Sequence, residues 1–598
     1  MRQLSLFTLI AALFFAPAFA DDWRFDGVGR VVAVSDSHGD HDAFVTTLTQ
    51  SGVIDGQQRW AAGETHLVVN GDILDRGDHS RATMELVMSL EAQAAEAGGR
   101  VHMVIGNHEA MVLVGDMRYV VPGEYAAFAD EETLEERGQW FSALVLRDGE
   151  QDRAAFDKAY PPGYFALRRA FLADGRYGKW LLDKPLLITI NDTAFVHAGL
   201  SPSARELGFD GINGQLRDEL RAYVELLPQL YADGVVLPTD NFFEHPNLLQ
   251  QSLANLPVND PRVAIYERAM ALNKSGAHDS DSPYWYRGNI ACSPLAETDR
   301  LNEALKTIGA SRAVVGHTPT PTRQVLSRLD GQLIEIDTGM NSGYYKGTGH
   351  AVLFEGDSLT TVSEAGERQE YIAPHPRQVG TRPRGFLSLD DTLAVLRDGE
   401  ISNRRTLETG EDVVTVTLAG NTLDAVFAPA ERRGVMPELA AFRLDRLLGL
   451  DMVPPTVERK LGRRAGTLQL LVPQTINEQQ RATTALGGGA QCPLSDQWTT
   501  MYTFDALVHN EARTQRSMVY DRLAGFKLML TGHQRAFSTE RGFPAYLASA
   551  NLAVTSEWRR RLEALTDDVI EEQFADVLDR RRRKALAGRR ELMLDMAP

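Results

Sequence analysis

Between residues 29 and 360 the chain repeats one pattern: a short β-rich apolar run that stops at Gly, Asp, Asn or His. Such runs occupy 30–34, 66–69, 101–105, 186–196 and 312–315. Stretches with helical periodicity lie between them, as at 82–97. Strands alternating with helices predict an α/β layered domain. Two longer insertions, 115–180 and 203–280, read as mainly helical and are placed to roof a cleft. Strand patterning with turns returns at 331–370, in GQLIEID and HAVLFEGD. The pattern is lost at 373–385, where Ala373-Pro374-His375-Pro376 and Arg382-Pro383-Arg384-Gly385 are proline-rich, basic and non-periodic, as in a linker. A second domain is predicted from 386 to 598.

Polar residues at the ends of these runs carry the candidate chemistry. In VVNGDILDRGD, 68–78, a buried strand breaks at Gly71-Asp72. Asp72 then sits at the strand mouth, with Asp75 and Arg76 within one turn. Two carboxylates beside an arginine suit a metal-bound phosphate. In VVAVSDSHGD, Asp36 and His38 end another strand, and an i, i+2 pair on an extended segment points to one face. Asn107 and His108 follow VHMVIG, His197 follows AFV, and His317 follows AVVG. Each motif alone has an ordinary reading as a turn, a helix cap or a core histidine. Their fixed order, each after a β-run, argues for one site. Mixed carboxylate, imidazole and amide ligands suit Mn, Fe or Zn better than Ca.

Composition narrows the setting. A chain of 598 residues exceeds one hydrophobic core, so two or more domains are expected. The net charge of −19 argues against general binding to nucleic acid or anionic membrane. Residues 1–20 read as an export signal: Arg2, an apolar stretch at 4–15, and Ala18-Phe19-Ala20 before Asp21-Asp22. The stretch is short for a membrane span, and no later segment is long and apolar enough for one. The alternative is an uncleaved anchor. The mature protein, 21 onward, is expected in the periplasm or secreted. Export permits a disulfide, but Cys292 and Cys492 fall in the two different domains, which gives no reason to pair them.

The ordered set D-x-H-G, G-D-x-x-D-R-G, G-N-H-E, H-A-G-L and G-H-T resembles that of the calcineurin-like metallophosphatases. GDILDRG and GNHE resemble the phosphoprotein phosphatase branch. EAMVLVGDMRYV, DGRYGKWL, YWYRG and IDTGMNSGYY resemble the Shewanella-like protein phosphatases. The resemblance covers about 28–360. It implies a metallophosphatase β-sandwich flanked by helices, spanning 21–372, with two divalent ions. Asp36, His38 and Asp72 would hold one ion, and Asp72, Asn107, His197 and His317 the other. His108 would be the general acid, oriented by Asp75. Arg76 and Arg287 would grip the phosphate. A metal-bridging hydroxide would attack phosphorus directly. Ala198 stands where many eukaryotic members carry glycine, and no loss of activity is expected from it.

The second domain resembles an atypical kinase-like α+β fold with its chemistry removed. Ala428 stands where the nucleotide lysine is expected, and Glu438 remains as the helix glutamate. In HNEARTQRS, Ala512 replaces the catalytic aspartate and Ser517 the metal asparagine; in TGHQRAF, Gly532 replaces the metal aspartate. A site without these groups cannot neutralise ATP. The expectation is a pseudokinase that binds or scaffolds a protein partner; the alternative is an unrelated α+β module. The basic tail, with Arg559 to Arg561 and 580–584, reads as a solvated helix face, with a docking patch for anionic lipid or polysaccharide as the alternative.

The leading function is an exported phosphomonoesterase acting on phosphorylated protein, phosphotyrosine among the candidates, or on small phosphoesters. One alternative is a diadenosine-polyphosphate or other nucleotide hydrolase on the same metal core. The other is a non-catalytic binding protein.

Overall fold

The computed structural model describes residues 23–596 except 371, 377, 383–384, 408–409, 548–549 and 551, and not the side chains of 378–382 and 385–386. The expected export signal lies outside the described residues.

Two sheets pack face to face. The first runs Arg368–Gln369, Ser358–Ser363, His350–Glu355, Arg30–Val34, His66–Val69, Arg100–Met103. Its last three strands are parallel, joined by helical crossovers at His41–Gln50 and Ser80–Glu96. Parallel pairing aligns their C-terminal ends, with Val34 opposite Val69 and Val69 opposite Met103. The loops bearing Asp36, Asp72 and Asn107 therefore leave one edge side by side. The second sheet contains Thr193–Val196 parallel to Arg312–Val315, so His197 and His317 follow adjacent strand ends.

Side-chain alternation explains the layering. Val31, Ala33 and Val68 point between the sheets onto Ile188, Phe195 and Val314. Val32, Val34, Leu67 and Val69 point the other way, into the core that the helices cover. A period of two places successive residues on opposite faces. Each of the larger side chains, Val, Leu, Ile or Phe, contributes about 1.5–3 kcal/mol through burial.

Three expectations change. The run at 186–196 is a hairpin, Leu187–Ile190 and Thr193–Val196, turned at Asn191 with φ 54°. Both of its strands are buried, so the continuous apolar signal hid an Asn-Asp turn. The run at 101–105 forms Arg100–Met103, stopping short of Ile105. The segment expected as a non-periodic linker contains strands. Ala373–Pro374 joins the second sheet beside Leu326–Arg328, and Gln378–Arg382 pairs with Gly385–Ser388. The insertions are helical as read, from Pro122–Ala126 to Arg176–Leu182 and from Pro202–Gly211 to Arg262–Asn273.

Residues beyond 388 build a second core under a five-stranded antiparallel sheet, ordered Glu400–Thr406, Asp412–Leu418, Asn421–Pro429, Arg464–Leu470, Thr456–Leu461. Helix Pro437–Leu448 packs on it, and helices Leu494–Val508, Ser556–Ala564, Asp567–Phe574 and Arg580–Leu594 follow. Cys292 and Cys492 are joined by a disulfide with Cα atoms 5.1 Å apart. The expectation against pairing them, drawn from their places in two different domains, is corrected: the domains meet where these residues lie. In the tail, Arg589 is buried and donates to Leu507 O, and Arg561 pairs with Glu557. No helix among the described residues is long and apolar enough to cross a membrane.

Candidate active site

The loops from the first sheet are zipped together beyond the strand ends. Asp36 N donates to Gly71 O at 3.1 Å, His38 N to Asp72 O at 3.0 Å, and Gly39 N to Ile73 O at 3.0 Å. Asp36, His38, Asp72, Asp75, Arg76 and His317 have φ of 51°, 45°, 54°, 69°, 70° and 67°. Left-handed backbone at side chains other than glycine costs free energy and persists where surrounding structure imposes it. Asp36 and His38 thus converge through a left-handed turn, not through the extended i, i+2 geometry that sequence suggested. Glycine is needed at Gly106, where a Cβ would overlap Asp72 Oδ1, and at Gly316, where it would overlap Asp36 Oδ2. Gly106 also takes the cap position of helix Asn107–Val114.

The side chains meet around Asp72. His197 Nε2 lies 3.2 Å from Asp72 Oδ2 and 3.1 Å from Asn107 Oδ1. His38 Nε2 lies 3.7 Å from Asp72 Oδ2 and 3.9 Å from Asp36 Oδ1. The His317 backbone N–H donates to both Asp36 oxygens at 3.0 Å. Two groups have ligand atoms within 4.8 Å of one another: His38, Asp72 and His108, and Asp72, His197 and His317. Asp72 belongs to both.

This donor set fits divalent metal. His38 Nδ1 donates to Leu74 O at 2.9 Å and His197 Nδ1 to Asn70 O at 2.9 Å. Each contact turns the Nε2 lone pair inward, as metal-ligating histidines require. His317 Nε2 is buried with no protein partner. Carboxylate, imidazole and amide oxygen together suit a divalent transition metal.

The electrostatics are those of a buried anionic cluster. Burial, then Asp337 and Asp72, push the Asp36 carboxyl well above the usual range. Burial also opposes ionisation of Asp72, but His197 and His108 outweigh it and hold Asp72 well below that range. Burial disfavours charge on His197, yet Asp72 and Asp36 raise it to about 10. Burial lowers His108 to about 4 and raises Asp337 to about 6. A bound cation would neutralise these carboxylates directly.

His108 Nδ1 donates to Asp75 Oδ2 at 2.6 Å, leaving Nε2 to face the cluster 3.9 Å from Asp72 Oδ2. The grouping with His38 and Asp72 also leaves His108 geometrically able to bind metal. Arg76 reaches His38 Nε2 at 2.5 Å and donates to Tyr345 OH. The rings of Tyr119, Tyr344 and Tyr345 surround its guanidinium at 5.1–5.2 Å. Arg287 donates to Thr318 Oγ1 at 2.7 Å and His317 O at 3.2 Å. All ten residues expected at the site therefore fall in or beside one cluster.

Sequence reasoning left three contributors unassigned. Glu109 accepts from Asp72 N, Ile73 N and Gly106 N at 2.8–2.9 Å, fixing two loops to each other. Its place in G-N-H-E was the available signal. Asp337 and Tyr345 lie in IDTGMNSGYY, a motif noted without roles for its residues. Asp337 Oδ2 is buried without a partner, and Gly339 N donates to Oδ1 at 2.9 Å.

The calcineurin-like phosphoesterase family pattern matches residues 29–321. The chain is 30% identical over 213 residues to Shewanella-like protein phosphatase 2 of Arabidopsis thaliana, covering 33% of this chain and 54% of that one. It therefore spans about half the length of that relative. It is 26% identical over 313 residues to Shewanella-like protein phosphatase 1 of Plasmodium berghei, covering 52% of this chain and 67% of that one. Among solved structures, the cold-active protein-tyrosine phosphatase of a psychrophilic Shewanella species matches at 27% identity and TM-score 0.38, covering 58% and 81%. Ligand-bearing loops from both sheets and the family match agree: the chain carries a calcineurin-like metallophosphoesterase domain and is a metal-dependent phosphatase.

Proposed function

We propose that the protein is an exported phosphatase of phosphorylated proteins, using two divalent ions, Mn, Fe or Zn. The observation that carries this reading is the placement of Arg76 and Arg287 beside a carboxylate and imidazole cluster that also holds the Asp75–His108 pair. The ions would supply Lewis acidity and an activated water. Asp36, His38 and Asp72 would hold one, and Asp72, Asn107, His197 and His317 the other. Arg76 and Arg287 bind equatorial phosphate oxygens and stabilise the charge that develops there. His108, its Nδ1 proton held by Asp75, would act as the acid once a phosphate dianion bound beside Nε2 offsets the burial that disfavours its charge, and would pass that Nε2 proton to the leaving oxygen.

The names of the relatives include protein phosphatases and a protein-tyrosine phosphatase, which makes phosphotyrosine the first substrate to try. Export rests on residues 1–20, and pairing of Cys292 with Cys492 fits an oxidising compartment. The second domain is taken as a pseudokinase. Ala428 lies on strand Asn421–Pro429, and Glu438 accepts from His533 N at 2.8 Å where a kinase would offer it a lysine. Titration of the full chain with Mg-ATP is expected to show no binding; micromolar affinity would overturn that assignment.

The test of the main reading uses protein lacking residues 1–20, with Mn²⁺ added. Hydrolysis of p-nitrophenyl phosphate and of phosphotyrosine or phosphoserine peptides is expected. Cleavage of a dinucleoside polyphosphate alone would assign the metal core to nucleotides instead.

A further inference from the structure

A cavity of about 590 Å³ opens beside the metal cluster and ends against the second domain. Arg287, Thr318 and Tyr345 line its inner end, and these are the residues around His317 and Arg76. Its outer wall comes from the second domain: Met452, Gln491, Leu523 and Ala524. The cavity is thus one space shared by Arg287 of the phosphate site and by residues of the second domain.

The two walls are fastened to each other. Cys292 is bonded to Cys492 across them. Arg300 makes a two-point ion pair with Asp496 at 2.7 and 2.8 Å. Ser293 Oγ donates to Leu450 O at 3.0 Å, and Thr555 Oγ1 to Leu295 O at 2.9 Å. Leu295, from the phosphatase half, is buried in the second domain's core. Covalent, ionic and apolar ties at one seam hold the opening at a fixed width.

Its charge runs against the rest of the molecule. The chain carries −19 overall. Both acidic residues of the lining are matched: Asp451 pairs with Lys527 and Asp496 with Arg300. Lys346 lines the same space with no ion-pair partner among the described residues, and Arg323, also in the lining, donates to Thr320 O at 2.9 Å while its charge acts on Asp337. Ile290, Pro319 and Pro321 add apolar surface to the same lining. Cationic points set along an apolar trough, leading away from a phosphate site, complement an extended peptide with acidic side chains.

We propose that this interdomain cleft seats the polypeptide flanking the phosphorylated residue, preferring acidic sequence, so that the second domain acts as a substrate-selecting wall. This rests on the phosphatase reading above and adds where the protein part of the substrate lies. The second domain need not transfer phosphate to matter for turnover.

The experiment compares kcat/KM for p-nitrophenyl phosphate and for matched phosphopeptides with acidic or basic flanks. It uses the chain lacking residues 1–20, its Leu523→Glu variant and its Lys346→Glu variant. Leu523 is 40% exposed, so the change does not disturb a core. Wild type is expected to favour the acidic peptide, and each variant to lose about tenfold or more in kcat/KM on it, mainly through KM. Turnover of p-nitrophenyl phosphate, too small to reach Leu523, should persist and reports an intact metal centre. An acidic-peptide preference that survives both variants overturns the proposal, as does an equal loss on the small ester and the peptide. Wild-type protein inactive on every phosphoester would instead overturn the phosphatase reading itself.

Discussion

Asp75 Oδ2 accepts the Nδ1 proton of His108 at 2.6 Å, and this contact decides which ring nitrogen faces the metal-ligating cluster. Both side chains are buried, and the other Asp75 oxygen has no protein partner. A carboxylate so placed favours one tautomer and one orientation of the imidazole.

Replacing His108 with Ala should lower kcat on an alkyl phosphate by about 10²–10⁴-fold, the usual contribution of a positioned acid. The loss should be smaller on p-nitrophenyl phosphate, whose leaving group needs little protonation. Asp75→Asn should cost about 10- to 100-fold with the same dependence on leaving group. Steady-state kinetics over a series of leaving groups measures both. A uniform loss, with metal released, would make His108 a ligand.

Asp72 is the residue common to both ligand groupings. Asp72→Asn should empty both metal positions and remove activity, whereas Asn107→Ala should deplete only one. Elemental analysis of the purified variants gives the count. Full metal content in Asp72→Asn would remove its bridging role.

Buried histidines in the helical insertion should make the protein acid-sensitive. Burial lowers His245 to about 4 and His278 to about 4, from 6.5. The unfolded chain then binds more protons between those values, so stability is complete above pH 6.5 and falls as pH drops towards 4. Each shift corresponds to about 3 kcal/mol. His278 Nε2 has no partner, so His278→Leu leaves no hydrogen bond broken at that atom. Thermal melting from pH 7 to 4.5 should show a shallower decline in His278→Leu than in wild type. Identical slopes would contradict the assignment.

Breaking the disulfide should loosen the seam between the domains. Cross-linking residues 200 apart removes much chain entropy from the unfolded state, so Cys492→Ser should cost about 2–5 kcal/mol. Denaturant unfolding measures it, and a change below the error of that method would mean the seam is held by its other contacts.

Much of the sandwich was legible because its strands are short buried runs bounded by turn residues. The runs 30–34, 66–69 and 312–315 match the observed strands. The hairpin at Asn191 was not, since apolar residues on both sides of the turn masked the break. Sequence brought Asp36, Asp72, Asn107, His197 and His317 forward because each ends a β-run. It could not show the left-handed backbone that turns Asp36 and His38 inward, because tertiary contacts with the Gly71–Ile73 loop impose it. Nor could it show that Arg76 meets Tyr345, 269 residues away, or that Cys292 reaches Cys492. Such contacts depend on how loops close over the sheets, which local pattern does not encode.

The central claim is that Asp72 stands between two transition-metal ions. Anomalous diffraction from crystals grown with Mn²⁺ and inorganic phosphate tests it most directly. The account predicts two peaks flanking the Asp72 carboxylate, with phosphate held by Arg76 and Arg287. An active crystal form with no peak there, or with metal bound only elsewhere, would contradict it.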